Sequence, residues 1–302
     1  MTENYEKLVS DHWSEMATKN TTPYHWSDSE IVLEHINKCI SGDPKIGWFK
    51  HACEKYLTTD IPKNKYGLSI GCGSGTLERE CRKMGFCNAM DGIDLAVGAI
   101  EEAKKLAKEE KITGINYQVQ NIEKIILPTN KYDVVFASSA IHHVKNLESL
   151  FEKIKASLKP DCFFIMLEYV GPSQFQFSQK AVDIINEILA ILPQFYKKLS
   201  SNPGKTKELF TVVSRDYMNA NDPSEAIRSD EIIPVLSKYF TIVEKKDYGG
   251  TILHMLLQDI VSNFLDASYK DRTILSLLIL LESILIKEKV LNSDFCFIVA
   301  KK

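Results

Sequence analysis

The chain has 302 residues, enough for one large α/β domain with insertions or for two domains. Its formal net charge of −3 gives no general attraction to nucleic acid or to an anionic membrane surface. The seven cysteines form no CxxC pair, which favours buried thiols in a reducing compartment over a disulfide framework or a zinc site. With a polar start that holds no secretory signal, these features predict a cytoplasmic protein.

Along the chain, the first sixty residues combine scattered aromatic side chains with helix-like segments. A regular alternation begins at Tyr66, and its successive joins are short. Strands are predicted over 68–70, 89–94 and 115–119 and in the apolar runs YDVVFASS and CFFIML, with helices over 76–84, 95–110 and 147–158. This succession predicts a doubly wound parallel sheet.

Two helical stretches interrupt the alternation later in the chain. They cover 173–228 and 251–290, with a strand-like FTIVEKK between them and FCFIVAKK after them. The most apolar stretch, 274–281, is too short to span a bilayer and is expected to be a buried helix. The predicted organisation is an N-terminal helical segment (1–65) over the site, a core (66–172 and 229–302), a helical lid (173–228) and a second insertion within the core (251–290).

The turn after the first strand, in LSIGCGSGTLERE, has glycines at Gly71, Gly73 and Gly75. One interpretation is a dinucleotide site, but Thr76 stands where the third glycine of G-x-G-x-x-G belongs. A second is a nucleoside ligand whose ribose is bound by Asp94 at the end of the next strand. A third is purely structural: the glycines shape the turn, and Asp94 caps the following helix.

Four segments carry a resemblance to a known family: LSIGCGSGTLERE, MDGIDLAVGAIEEAKKLA, YDVVFASSAIHHVKNLESLFEKIKASLKP and FFIMLEYVGPS. In this order they resemble the successive motifs of class I S-adenosylmethionine-dependent methyltransferases, over about residues 66–171 and in the closing strands. The resemblance implies an α/β fold with a seven-stranded, mostly parallel Rossmann-like sheet and helical lid insertions. It also implies S-adenosylmethionine as cofactor and S-adenosylhomocysteine as product.

The same resemblance implies where the cofactor binds. The glycine turn would lie against the methionine portion, Asp94 would bind the ribose, and Asn121 would meet the adenine amino group. The family often has Asp at the position of Asn121, and many members carry an acid at the position of Ser69. The expected cofactor-binding set is Gly71, Cys72, Gly73, Gly75, Asp94, Leu95, Asn121, Ile122 and Ser138.

Candidate catalytic residues follow the fourth and fifth strands, because open α/β sheets bind ligands at the carboxyl ends of their strands. His142 and His143 come directly after FASSAI and are candidate general bases, since a histidine ordinarily titrates at a pKa of about 6.5. The alternative is that one histidine only shapes the cofactor pocket. Glu168 at the end of FFIMLEY either orients the acceptor or caps the next segment.

Acceptor contacts are expected from more scattered positions. Arg228 would clamp an acidic group of the substrate. The alternative is an ion pair with a neighbour such as Glu225 or Asp230. No metal ion is expected, and the expected acceptor-contacting set is Tyr5, Trp13, Tyr169, Arg228 and Tyr248.

The leading functional hypothesis is a methyltransferase that acts on a small-molecule acceptor, by O- or N-methylation, in an enclosed pocket. No basic strip studded with aromatic residues indicates a nucleic-acid partner, and no membrane partner is expected. A homodimer is compatible with the sequence. The alternatives are an NAD(P)-dependent oxidoreductase, which Thr76 disfavours, and a non-catalytic binding protein of the same fold.

Overall fold

The computed structural model describes residues 9–11, 13–14, 24–57 and 65–302. Tyr5, one of the expected acceptor contacts, lies outside the described residues. Within them the strands are β1 (Tyr66–Ile70), β2 (Ala89–Asp94), β3 (Ile115–Val119), β4 (Tyr132–Ser138), β5 (Leu158–Tyr169), β6 (Thr241–Gly249) and β7 (Phe295–Lys301). The α-helices of the same residues are α1 (Glu30–Ser41), α2 (Trp48–Tyr56), α3 (Thr76–Lys83), α4 (Val97–Glu109), α5 (Leu147–Ser157), α6 (Gln179–Ile191), α7 (Arg215–Asn221), α8 (Ile232–Tyr239), α9 (Leu253–Leu257) and α10 (Tyr269–Lys287).

The strands form one sheet in the order β3-β2-β1-β4-β5-β7-β6. Strands β1 to β5 pair in parallel, while β7 runs antiparallel to both β5 and β6. The doubly wound, mostly parallel sheet is therefore confirmed. Its order reverses between β1 and β4, and ligands of open α/β sheets bind outside the carboxyl ends of the strands at such a point.

The central strand β4 shows why YDVVFASS is apolar throughout. Val134 and Phe136 face one core cluster, while Val135 and Ala137 face the other, and none of the four is exposed. Helices cover both faces of the sheet, so each side chain of this strand is buried whichever way it points. The helix after β4 begins as expected, because the Asn146 side chain accepts a hydrogen bond from the backbone N–H of Ser149 (3.1 Å).

The two helical insertions pack against each other on one face of the sheet. Tyr196 of the first insertion stacks on Phe264 of the second, with ring centroids 4.5 Å apart and planes 7° from parallel. The Tyr196 hydroxyl also donates to Asp271 at 2.8 Å. The insertions thus share a core with the N-terminal helices, although the proposed domain boundaries remain a prediction.

Helix α10 also supplies a cap to α9. Glu282 is buried, and its carboxylate accepts the backbone N–H groups of Gly250 (3.0 Å), Ile252 (2.7 Å) and Leu253 (3.0 Å). The first N–H groups of a helix have no partner within the helix, so this carboxylate satisfies donors that would otherwise be orphaned.

One local expectation was wrong. The apolar stretch 274–281 is helical but only half-buried, because its apolar residues surround α10 while one side alone meets the core: Leu275 is buried, whereas Leu277 is 61% exposed. In the described part of the chain, no helix has the length and apolarity needed to cross a membrane.

Candidate active site

The three glycines of the turn after β1 all have left-handed backbone conformations, with φ of 65° at Gly71, 51° at Gly73 and 77° at Gly75. A side chain at Gly71 would collide with Ala140, and one at Gly75 would collide with Tyr117. A Cβ at Gly73 would meet no atom of the described residues within 4 Å. Two of the glycines therefore permit close packing, while Gly73 borders open space that a ligand can occupy.

Asp94, at the end of β2, closes this turn from the neighbouring strand. Its carboxylate accepts the N–H of Gly73 at 2.9 Å and the N–H of Ala96 at 2.8 Å. Burial raises its pKa above the ordinary value. The hydrogen bond from Ala96, just before α4, is the helix cap expected if Asp94 has a purely structural role. The hydrogen bond from Gly73 joins the carboxylate to the glycine turn. Ribose binding by Asp94 stays a prediction.

The other expected cofactor residues border the same region. Asn121 follows β3, and its side-chain oxygen accepts the N–H of Glu123 (2.9 Å), which forms a tight turn. The carbonyl of Leu95 accepts a hydrogen bond from the Ser10 hydroxyl (3.1 Å), so a described N-terminal residue lies at the start of α4. Cys72, Ile122 and Ser138 lie after β1, after β3 and at the end of β4 respectively.

A buried acid at this end of the sheet was missed by the sequence analysis. Glu78 on α3 has no exposed surface, and neither carboxylate oxygen has a hydrogen-bond partner in the described structure. Burial raises the pKa of this carboxyl to about 7. Its position three residues before the buried Cys81, on the inner face of the helix, is the signal that could have revealed it.

Glu168 and His142 form a buried pair at the ends of β5 and β4. The Glu168 carboxylate accepts the N–H groups of Ala140 (3.0 Å), Ile141 (2.7 Å) and Tyr169 (2.9 Å), and it also binds Nδ1 of His142. Burial alone would lower the pKa of His142, but the charge and hydrogen bond of Glu168 outweigh it and raise that pKa to about 9. Glu168 is wholly buried behind the histidine, so it positions His142.

His143 is oriented by residues from the end of the first insertion. Its Nδ1 lies 3.2 Å from the hydroxyl of Ser224, which in turn donates to Asp222 at 2.6 Å. Trp13 meets the His143 ring edge-on, with centroids 5.2 Å apart. Only the arginine of the segment 222–228 was expected to contact the substrate. The sequence did not reveal that three other residues of this segment lie near the histidines: Asp222, Ser224 and Glu225.

A cavity of about 450 Å³ lies against this group. Its wall is mostly aromatic and apolar, and it also includes the half-buried side chains of Lys207 and His254. Burial lowers the pKa of Lys207 to about 8 and that of His254 to about 3. The lining residues that matter here are Trp13, Phe175, Phe177, Lys207, Phe210, Met218, Asp222, Glu225 and His254.

The remaining expected acceptor contacts are not part of the cavity lining, although the Tyr169 ring meets Phe175 of that lining edge-on, with centroids 5.0 Å apart. The Arg228 guanidinium donates to Glu148 (2.8 and 2.9 Å) and to Glu231 (3.1 and 2.6 Å), so it is engaged in ion pairs, with different partners from those anticipated. Tyr169 is buried, and its hydroxyl donates to the Pro172 carbonyl at 3.0 Å. Tyr248 is buried beside Phe295, with ring centroids 5.7 Å apart.

Comparisons with known proteins agree with this geometry. Residues 68–166 match the family model of a methyltransferase domain. A ubiquinone biosynthesis O-methyltransferase from Coxiella burnetii is 30% identical over 107 residues, which is 35% of this chain and 44% of that protein. A sterol 24-C-methyltransferase from Clavispora lusitaniae is 24% identical over 266 residues, 83% of this chain and 66% of that protein.

Among solved structures, geranyl diphosphate C-methyltransferase from Streptomyces coelicolor A3(2), in complex with Mg²⁺, geranyl diphosphate and S-adenosyl-L-homocysteine, has a TM-score of 0.53 at 12% identity. The match covers 98% of this chain and 96% of that one, and it shows the fold. The strand order and the glycine turn define a Rossmann-like α/β protein with its ligand site at the strand ends. Residues 68–166 match a methyltransferase domain, in agreement with the resemblance of this segment to class I S-adenosylmethionine-dependent methyltransferases. It spans less than half the length of the Coxiella burnetii relative.

Proposed function

We propose that the protein transfers a methyl group from S-adenosylmethionine to a small-molecule acceptor held in the 450 Å³ cavity. One observation carries this proposal. Ala140 abuts Gly71 of the cofactor turn, and the histidines two and three residues later face Glu225 of the cavity wall. Residues 140–143 thus contact both the glycine turn and the cavity wall, which supports a methyl donor held next to the acceptor.

Transfer from a sulfonium is an in-line displacement: the acceptor atom forms a bond to the methyl carbon, and the sulfur leaves with the electron pair of the broken bond. Holding the two partners in line contributes up to about 7–11 kcal/mol in the best intramolecular cases. Residues of both insertions and Trp13 line the cavity, which supports such alignment. The roles of the individual side chains are part of the proposal.

The cavity lining favours an acceptor with an apolar body and one polar group. Phe175, Phe177 and Phe210 offer apolar contacts, while Glu225, which faces the two histidines, offers a polar one. The two curated relatives are named for ubiquinone biosynthesis and for a sterol, which agrees with an apolar acceptor. We extend to this chain O- or N-methylation of such a compound.

The direct test has two stages. Calorimetry with S-adenosylmethionine, S-adenosylhomocysteine and NADH should show binding of the two sulfur compounds and none of NADH. Formation of S-adenosylhomocysteine is then measured across a panel of hydroxylated and amine-bearing apolar compounds. Binding of NADH in place of the sulfur compounds would support the oxidoreductase, and binding without any turnover would support a non-catalytic protein.

A further inference from the structure

Three side chains from two distant segments converge beside the cavity, which Glu225 lines. Nε2 of His142 lies 3.5 Å from one oxygen of Glu225, and Nε2 of His143 lies 3.8 Å from the other. One donor atom from each of the three residues falls within 4.8 Å of the others. These separations are longer than good hydrogen bonds. They resemble the spacing of two ligands on one zinc ion, roughly 3.4 Å when each lies about 2.1 Å from the metal in a tetrahedral site.

Both histidines are turned toward Glu225 by a polar partner on the opposite ring nitrogen. Nδ1 of His142 binds the buried carboxylate of Glu168, and Nδ1 of His143 binds the hydroxyl of Ser224. Holding Nδ1 in this way leaves Nε2 as the coordinating atom of each ring. Metal-binding histidines in proteins are oriented by the same kind of outer partner, often a carboxylate.

The charge balance of the group also favours a cation. Glu225 faces both imidazoles, the Glu168 carboxylate binds His142, and the Asp222 carboxylate accepts from the Ser224 hydroxyl that contacts His143. Two imidazoles and one carboxylate leave coordination positions open, which is typical of centres that bind zinc or another divalent first-row metal together with a substrate. Magnesium prefers a shell of oxygen ligands and suits this donor set less well.

We propose that His142, His143 and Glu225 bind one divalent first-row metal ion, and that the acceptor's hydroxyl oxygen coordinates it. This proposal rests on the proposed methyltransferase function and narrows it to O-methylation. The acceptor O–H bond breaks and its proton passes to solvent. The oxygen then forms a bond to the methyl carbon with one of its electron pairs, the C–S bond breaks, and its electron pair stays on sulfur.

The test uses zinc and the full-length chain, first stripped of metal by a chelator. Calorimetric titration should give one zinc per chain, with affinity at least tenfold weaker in His143→Asn and in Glu225→Gln. The matched control is His35→Asn on α1. Nε2 of His35 lies 3.6 Å from the sulfur of Cys39, and such a pair can bind adventitious zinc. This variant should bind zinc as the unaltered protein does.

Two further measurements make each outcome decisive. Thermal unfolding of the metal-free variants shows whether they fold, and the cobalt-substituted protein should have an absorption spectrum without a thiolate band. The metal site is overturned by unchanged zinc affinity in folded His143→Asn and Glu225→Gln, by loss of binding in His35→Asn, or by absence of zinc binding. Binding of S-adenosylmethionine to the metal-free protein is measured separately, and its failure would count against the proposed function instead.

Discussion

The two ends of the candidate active site are built in different ways. The cofactor end is made mainly of backbone from short loops, in which Gly71, Gly73 and Gly75 follow β1 and Asp94 ends β2. The acceptor end is assembled from side chains far apart in sequence, such as Trp13, His143, Ser224 and His254. Local chain geometry determines the cofactor end, whereas the acceptor end exists only once the insertions have packed. The two ends should therefore respond differently to substitution.

The largest effect is expected from Gly73→Val. Its side chain would enter the open space beside the turn, and a branched residue is strained at a φ of 51°. Affinity for S-adenosylmethionine should fall by more than about 1,000-fold, or about 4 kcal/mol, in calorimetry. Gly42→Val is the control, since Gly42 lies after α1 and also has a positive φ, and no atom in the described part of the chain is near its Cβ position. Equal affinities in the two variants would remove the glycine turn from the cofactor site.

Glu78→Gln tests whether the cofactor end holds a buried acid that sequence reading does not reveal. The pKa of Glu78 is raised by burial from 4.5 to about 7, so the folded state holds this proton more tightly than the unfolded chain does. The free energy of unfolding therefore falls by roughly 3 kcal/mol as the pH rises from 4.5 to 7. The Gln variant should be more stable than the unaltered protein at pH 8 and similar at pH 4 in denaturant unfolding. A stability difference between Glu78→Gln and the unaltered protein that does not vary with pH would contradict the raised pKa of Glu78.

Asp94→Ala should weaken S-adenosylmethionine binding by about 1.5–3 kcal/mol, roughly 10- to 150-fold, through loss of a charge-assisted hydrogen bond. The Asp94 carboxylate also accepts the N–H of Gly73, and an amide oxygen can keep that hydrogen bond. The affinity of Asp94→Asn for S-adenosylmethionine should therefore lie between those of the unaltered protein and of Asp94→Ala. Calorimetry measures both variants, with Asp183→Ala on the exposed face of α6 as control. A folded Asp94→Ala protein with full affinity would leave Asp94 only its capping role.

Met218→Trp tests the acceptor end alone. Met218 lines the cavity, and a larger side chain there would fill space that the acceptor needs. With the acceptor identified by turnover, kcat/KM should fall about tenfold or more, while the Kd for S-adenosylmethionine stays the same. Met84→Trp, at the exposed end of α3, is the control. A parallel loss of cofactor affinity would show that the two ends are not separable.

The smallest effect is expected from Arg228→Met. Its ion pairs with Glu148 and Glu231 lie near the surface, where such pairs contribute about 1 kcal/mol or less to stability. The free energy of unfolding should fall by that amount, and the acceptor KM should not change. Arg215→Met, at the exposed start of α7, gives the baseline. A raised KM confined to acidic acceptors would restore Arg228 as a substrate clamp.

How far the sequence could predict this molecule follows the same division. The sheet and the glycine turn were predictable because period, strand ends and glycine positions are local signals. The partners of His143 were not, because Ser224 lies 81 positions away and no local pattern couples them. Arg228 was expected at the acceptor, yet Glu148, 80 positions earlier, is its partner. The prediction that the helix over 274–281 is buried was wrong, because a helix that is apolar on all sides does not indicate which side stays exposed.

The cap that α10 provides for α9 has a consequence for folding. Helix α9 has only five residues, and the carboxylate that satisfies its first turn lies 29 positions beyond Leu253. A helix this short is not stable in isolation, because nucleation costs more than its few hydrogen bonds return. Docking of α10 must therefore precede or accompany the ordering of α9. The segment that contributes His254 to the cavity wall therefore does not become ordered before α10 has docked.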